Sequence, residues 1–210
     1  MSSYGLYDYT FRLVIIGDCS VGKTAFTGNI IGRGFAPEHQ TTIGVDYGST
    51  IIKVKNDTVS IKCQLWDTAG QETFAPLIAS YYKDIAGVMI FFDVSCRRSF
   101  LRVKFWLNEF YAHRNSNIPV PILLVGNKID IFDRQVSYKE GKYFANKYGL
   151  LYEEISVKCN VNIRNTLSVL CNKIYDTKET NPGVKEHAPI VKLNDDIKYE
   201  KFDYDCCTIA

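Results

Sequence analysis

Residues 17–24 combine glycines, a lysine and a threonine at a spacing that suits the binding of phosphate groups. They read Gly-Asp-Cys-Ser-Val-Gly-Lys-Thr and fit the pattern G-x-x-x-x-G-K-[ST]. The glycines allow backbone conformations that aim successive N–H groups inward, and a helix that follows adds positive potential at its N-terminus. Lys23 supplies a charge to the β- and γ-phosphates, and Thr24 offers a hydroxyl to Mg²⁺. The segment therefore predicts a nucleotide-binding loop, an ordinary glycine turn being the alternative.

The predicted nucleotide-binding residues of this loop are Gly17, Asp18, Cys19, Ser20, Val21, Gly22, Lys23, Thr24 and Ala25.

A second segment, Trp66–Glu72, places a carboxylate, a glycine and a glutamine close together. The carboxylate of Asp67 can reach Mg²⁺, usually through a water molecule. Gly70 lets its N–H approach the γ-phosphate, and Gln71 can orient an attacking water. The D-x-x-G pattern is weak alone, but after a buried strand and a phosphate loop it predicts phosphoryl transfer to water. Gln71 and Lys23 are the predicted catalytic residues.

A third segment, Asn127-Lys128-Ile129-Asp130, selects the base. Guanine carries two adjacent donors, its ring N1–H and its exocyclic amine, and the carboxylate of Asp130 can accept both. Adenine lacks that pair, so ATP would leave the carboxylate unpaired. Lys128 can lay its aliphatic stem along the base. As the third motif in order, this segment indicates a guanine nucleotide.

Apolar runs that alternate with helical patterns predict the elements that carry these motifs. Strands alternating with helices imply right-handed crossovers and a mostly parallel sheet. We expect an α/β fold in three layers: a six-stranded sheet with one antiparallel edge strand, contributed by a hairpin around Asn56–Asp57, and helices on both faces. The predicted strands are Phe11–Ile16, Thr50–Lys55, Ser60–Trp66, Gly87–Asp93, Ile122–Val125 and Leu151–Ile155, and the helices Lys23–Ile31, Ser99–Arg114, Ser137–Lys147 and Val161–Tyr175.

Composition places the chain among ordinary cytosolic proteins. The net charge of +2 is too small to indicate nucleic acid or a membrane surface. There is no apolar stretch of about 18 residues and no signal-peptide core, so we expect a cytosolic protein. We divide the chain into an N-terminal extension (1–8), one domain (9–176) and a flexible tail (177–210). Five of the seven cysteines are scattered as core or loop residues, and the last two, Cys206 and Cys207, are adjacent.

The order of motifs resembles the Ras-like small GTPases, and several residues narrow the resemblance to the Rab family. These are Thr42-Ile43-Gly44-Val45-Asp46-Tyr47, Trp66-Asp67-Thr68-Ala69-Gly70-Gln71-Glu72-Thr73-Phe74, Tyr81-Tyr82 and Cys206-Cys207. The resemblance covers about residues 9–176 and the extreme C-terminus. It implies that Thr42 gives Mg²⁺ a second hydroxyl beside Thr24, that Phe35 packs on the guanine, and that Ser156-Val157-Lys158 forms the last guanine loop.

The same resemblance implies a slow GTP hydrolase whose output is protein binding. Expected partners are an exchange factor, an activating protein that supplies an arginine, a GDP-dissociation inhibitor or escort protein, and effectors, but no nucleic acid. The protein would act as a monomer that cycles onto the cytosolic face of endomembranes in vesicle trafficking. Thr73, Pro76 and Lys83-Asp84-Ile85 depart from the family pattern, and these departures concern the choice of effector and exchange factor and not the chemistry. The implied effector-binding residues are Ile43, Gly44, Tyr47, Trp66, Phe74 and Tyr81.

Two other functions compete with this one: a Ras- or Rho-like signalling GTPase, and a nucleotide-binding module without useful hydrolysis. Gln71 argues against the second of these. The last four residues also fit C-a-a-X, which suggests a single farnesyl, whereas the Rab resemblance suggests a geranylgeranyl on each of Cys206 and Cys207. Residues 177–205 carry five Lys against seven Asp or Glu, so two lipid chains, rather than a basic patch, would have to hold the membrane.

Overall fold

The computed structural model describes residues 7–34, 42, 44–70, 80–114 and 118–187. These residues form one seven-stranded sheet with the strand order β2-β3-β1-β4-β5-β6, and β7 pairs with β1. The strands are β1 (Tyr9–Gly17), β2 (Val45–Val54), β3 (Val59–Thr68), β4 (Gly87–Asp93), β5 (Ile122–Asn127), β6 (Leu151–Glu154) and β7 (Val184–Glu186). The helices are α1 (Lys23–Ile30), α2 (Arg97–Leu101), α3 (Val103–His113), α4 (Tyr138–Lys147) and α5 (Ile163–Asp176).

Two hydrophobic cores, one on each face of the sheet, explain the three layers. Every residue of β4 and β5 is buried, as expected for parallel strands covered on both sides. One core packs α1 and α5 on the sheet, with Phe26 and Leu170 among its members. The other packs α2, α3 and α4 on the opposite face, with Phe100 and Trp106 among its members. The predicted fold class is confirmed, with one strand more than the six expected.

The parallel strands bring the predicted site residues to one edge of the sheet. β1 lies between β3 and β4 and is parallel to both, and β5 is parallel to β4. Their carboxyl ends therefore meet on the same side. Because β1 is where the strand order changes direction, the crevice above its end is the position where open α/β sheets bind ligands.

The hairpin forms around the predicted turn, whereas the long amphipathic segment departs from the prediction. β2 and β3 are antiparallel, and Lys55, Asn56 and Asp57 all have left-handed φ angles of 52° to 63° in the turn between them. The segment 99–114, predicted as one helix, is divided into α2 and α3 at Arg102.

The prediction that the chain becomes a flexible tail after Asp176 is wrong for residues 177–187. β7 pairs antiparallel with the start of β1, and Asn181, only 4% exposed, donates from Nδ2 to the carbonyl oxygen of Ala86 at 2.7 Å. A Cβ on Gly183 would lie 2.0 Å from Ala86 N and 2.0 Å from Ile85 C. The break in the helical pattern at 181–183 is therefore a turn that lets the backbone pack against the start of β4. In the described part of the chain, no helix is both long and apolar enough to span a membrane.

Candidate functional site

The predicted phosphate-binding loop follows β1 directly and leads into α1. Ser20 and Gly22 have φ angles of 59° and 99°, so the loop uses the left-handed conformations that turn N–H groups inward. A Cβ on Gly22 would lie 2.1 Å from Nδ2 of Asn127, and one on Gly17 would lie 2.4 Å from the carbonyl oxygen of Phe91. The two motif glycines thus allow the loop to pack against the ends of β4 and β5.

Lys23 begins α1 and turns its ammonium back into this loop. Its Nζ donates to the carbonyl oxygens of Gly17 and Asp18, each at 2.8 Å. The residue is 5% exposed, and burial lowers the pKa of its ammonium to about 8, against the opposing effect of Asp67. A buried ammonium gains from an anionic partner, so its position suits a phosphate oxygen.

Three oxygen-bearing side chains form the predicted metal site beside the loop. The hydroxyls of Thr24 and Thr42 lie 2.7 Å apart. Asp67, at the end of β3, is fully buried, and neither carboxylate oxygen has a hydrogen-bond partner among the described residues. Burial raises its pKa to about 6, and Thr24 and Lys23 offset only part of that effect.

An unsatisfied buried carboxylate costs free energy unless a cation or donor meets it. Asp67 with the two threonine hydroxyls is the hard oxygen donor set that Mg²⁺ takes, usually with waters completing the octahedron. The residues present therefore fit a magnesium ion.

Residues of the third predicted motif bind both the phosphate loop and the loop after β6. Nδ2 of Asn127 donates to the carbonyl oxygen of Val21 at 2.8 Å, and its Oδ1 accepts from the N–H of Val157 at 3.3 Å. Asp130 accepts a 2.6 Å hydrogen bond at Oδ1 from the hydroxyl of Ser156. Asn127 thus joins the phosphate loop to the loop after β6, and Ser156 orients the carboxylate predicted to read guanine.

Lys128 has a partner that the sequence did not indicate. It lies in a left-handed conformation with a φ of 68°, and its Nζ lies 2.7 Å from Oδ2 of Asp93. Asp93 also accepts at Oδ1 from the N–H and hydroxyl of Ser95. The ion pair fixes the lysine between the ends of β4 and β5. Its only signal in the sequence is that Asp93 is the last residue of a buried strand.

Gly70 brings the segment after β3 into contact with the phosphate loop. A Cβ on this residue would lie 2.4 Å from Cys19 N and 2.5 Å from both the carbonyl carbon and oxygen of Asp18. No side chain fits there. The backbone at Gly70 therefore packs directly on the peptide that joins residues 18 and 19.

The side chain of Asp18 points away from the loop, toward α3. Its Oδ1 accepts from Nε of Arg102 at 2.8 Å and from Nε1 of Trp106 at 2.7 Å. The sequence indicates neither partner, because both are more than 80 residues away along the chain and belong to no motif.

Several predicted site residues lie outside the described part of the chain: Phe35, Ile43, Gln71, Phe74, Cys206 and Cys207. Among the described residues, Gly44, Tyr47, Trp66 and Tyr81 lie on and beside the β2–β3 hairpin. Lys158 is exposed next to Val157.

The loop after β1, the carboxylate at the end of β3 and the Asn-Lys-x-Asp segment after β5 together define a P-loop domain built for a nucleotide and a divalent ion. Residues 12–176 match the sequence model of the Ras family. The chain belongs to the Ras family and is a small GTPase, a class of guanine-nucleotide switches. Members of this class generally bind Mg²⁺ with the nucleotide and are regulated by exchange factors and activating proteins.

Proposed function

We propose that this chain is a Rab-like GTPase that recruits effectors in intracellular vesicle trafficking. The observation that supports this most is a row of three aromatic side chains, Tyr47, Trp66 and Tyr81, which we call the aromatic surface. The ring centroids of Tyr47 and Trp66 lie 5.1 Å apart, and those of Trp66 and Tyr81 5.2 Å. Tyr47 is 43% exposed, so the row offers an apolar surface to a partner.

The position of the aromatic surface suits a readout of the bound nucleotide. Tyr47 lies three residues after Gly44, close to Thr42, and Trp66 lies beside Asp67 and four residues before Gly70. We propose that Thr42 and Gly70 are held by Mg²⁺ and the γ-phosphate in the GTP form and released on hydrolysis. Tyr47 and Trp66, two members of the aromatic surface, would then move with the nucleotide state.

The chemistry proposed for the site needs only positioning and charge. Lys23 would neutralise charge on the β- and γ-phosphates, Mg²⁺ would supply further positive charge there, and Gln71 would orient the attacking water. Thr24, Thr42 and Asp67 would hold Mg²⁺, Asp67 through water. Asn127, Lys128, Asp130 and the 156–158 loop would hold guanine together with Phe35. An arginine from an activating protein would complete the site.

We further propose that lipid on Cys206 and Cys207 anchors the protein on the cytosolic face of endomembranes, with a GDP-dissociation inhibitor or escort protein covering it in the cytosol. One short chain binds membranes only marginally without a basic patch, and residues 177–205 carry a net charge of −2. Two chains would meet the need, each buried CH₂ contributing about 0.8 kcal/mol.

The effector proposal is tested by affinity capture with protein loaded with GDP or a non-hydrolysable GTP analogue. Partners should bind the GTP-analogue form and be lost on Tyr47→Ala. Ile51→Ala is the matched control, because Ile51 is 41% exposed on the same face of β2 and lies outside the aromatic surface. Capture that ignores the nucleotide, or survives Tyr47→Ala, would contradict the proposal.

The anchor proposal is tested by membrane fractionation of the full chain. Binding should survive high salt, since screening acts on charge and not on apolar transfer. It should fall sharply on Cys206→Ser or Cys207→Ser and vanish in the double variant, with intact mass giving the lipid count. Release by salt alone, or an unmodified C-terminus on membrane-bound protein, would refute it.

A further inference from the structure

Three sets of contacts hold the peptide between residues 18 and 19, two at its backbone and one at the side chain of Asp18. Lys23 donates to the carbonyl oxygen of Asp18 at 2.8 Å from α1. Gly70 packs on the same peptide with no room for a Cβ. The side chain of Asp18 is held by two donors of α3. The first two contacts belong to the phosphate loop and the segment after β3, whereas the third comes from a helix with no predicted role in nucleotide binding.

The two donors of α3 are themselves held in place. Trp106 is 1% exposed within the core beneath the sheet, and an indole N–H buried there has to find an acceptor. Arg102 precedes α3 by one residue, and its guanidinium stacks on the ring of Phe105 with Cζ 4.8 Å from the centroid. They lie four residues apart and so face the same side of the helix, which lets both reach Oδ1 of Asp18.

The charge on Asp18 makes this link strong. Its side chain is 16% exposed, and hydrogen bonds to an ionised acceptor are roughly twice as strong as neutral ones. The hydrogen bonds of Asp18 to Arg102 and Trp106 therefore restrain the position of the 18–19 peptide relative to α3. Because Gly70 packs on that peptide, the same hydrogen bonds restrain the position of Gly70.

We propose that Arg102 and Trp106 are positioning residues for GTP hydrolysis: through Asp18 they hold the 18–19 peptide where Gly70 packs on it. Neither residue belongs to the base loops, and the hydrogen bonds of both described above end on Asp18 and not on a group that binds the base. Their loss should therefore slow the chemical step more than it weakens nucleotide binding. The inference concerns hydrolysis by the Ras-family domain and goes beyond the trafficking role proposed above.

The test measures two rates on the full chain with Mg²⁺ and without activating protein: single-turnover hydrolysis of GTP and dissociation of fluorescent GDP. Arg102→Met removes one donor and keeps the length of the side chain, and Trp106→Phe removes the other donor and keeps a ring. Each should slow hydrolysis by roughly 3- to 10-fold and change GDP dissociation by less than about 2-fold. Arg102→Lys should recover much of the lost rate. Arg98→Met, at an exposed position of α2, is the control and should match the wild type.

A double variant separates positioning from charge compensation. If Arg102 served only to neutralise Asp18, then Asp18→Asn combined with Arg102→Met would restore the wild-type rate. The proposal expects the double variant to remain slow. Recovery in the double variant, wild-type hydrolysis in Arg102→Met, or GDP release that accelerates as much as hydrolysis slows would each overturn it. The side chain of Arg102 is 26% exposed, so we expect its variants to fold and to allow the rates to be measured even if Trp106→Phe destabilises the protein.

Discussion

Gly70 packs so closely on the phosphate loop that no side chain fits at this position. The atoms that a Cβ would meet, Cys19 N and the carbonyl group of Asp18, belong to the backbone. Rotation of a side chain cannot relieve such an overlap, so either the loop or the segment after β3 has to move. The identity of residue 70 therefore controls whether the two segments can be in contact at all.

Gly70→Ala should slow single-turnover GTP hydrolysis on the order of 10- to 100-fold, because the backbone at residue 70 can no longer pack on the phosphate loop, and Gln71, the residue proposed to orient the water, follows it in the sequence. GDP release should change little, since the contacts proposed for Lys23 with the phosphates and for Asp130 with the base would remain. Gly28→Ala in α1 is the control, because a Cβ there meets its nearest atom at 3.6 Å. Normal hydrolysis by Gly70→Ala would show that this contact has no part in the reaction.

Gln71→Leu should slow intrinsic hydrolysis while leaving GTP affinity nearly intact, because the glutamine is proposed to orient water and not to hold the nucleotide. The assay is a single-turnover measurement without activating proteins, which in the Rab family can supply a glutamine of their own. Equal rates for the variant and the wild type would remove Gln71 from the mechanism. Equal rates would also favour a nucleotide-binding module without useful hydrolysis over a GTPase that switches by hydrolysing GTP.

At the scale of single residues, the sequence predicts the motif residues but not the side chains that hold them in position. Lys23, Asp67 and Asp130 stand in short patterns whose spacing itself encodes a loop at the end of a strand. The partner of Asp18 is 84 residues away, in Arg102, and the partner of Lys128 is Asp93 at the end of another strand. Such pairings depend on which strand ends meet in three dimensions, and local spacing carries no record of that.

Among the elements, β7 is the one that changes the description of the domain. It extends the fold beyond α5 and joins the start of β1, where His187 N donates to the carbonyl oxygen of Asp8 at 2.8 Å. Three residues of strand give little periodicity to detect, and the turn before it contains the Pro and Gly that normally signal a loop. The long strands β4 and β5 were predictable because burial on both faces makes them continuous apolar runs.

Gly183→Ala should lower the thermal unfolding midpoint by roughly 3–10 °C, because its Cβ would overlap the backbone of Ile85 and Ala86 and displace β7. Lys185→Ala, exposed on the same strand, should leave the midpoint within about 1 °C. Differential scanning calorimetry of both variants provides the comparison. Equal midpoints would mean that residues 181–186 add nothing to the stability of the domain.

At the scale of the whole molecule, the sheet brings motifs that are distant in the sequence to one crevice. The ends of β1, β3 and β5 carry the phosphate loop, the buried Asp67 and the base loop, and Asn127 ties the first of these to the loop after β6. The order of motifs in the sequence predicts this convergence, since the carboxyl ends of parallel strands share one edge of the sheet. The packing of Gly70 on the phosphate loop and the hydrogen bonds from Arg102 and Trp106 to Asp18 join residues that are far apart in the sequence, so only the structure reveals them.

The most direct test of the account is nucleotide selectivity, measured by displacement of fluorescent GDP in the presence of Mg²⁺. Unlabelled GTP should displace it from the wild type and ATP should not, because the carboxylate of Asp130, oriented by Ser156, needs the two donors of guanine. Asp130→Asn should shift the preference to xanthine nucleotides, whereas Asp133→Asn, at a nearby exposed carboxylate, should keep the wild-type order. Comparable displacement by ATP and GTP, or an Asp130→Asn variant that still prefers guanine, would contradict the assignment of this site to a guanine nucleotide.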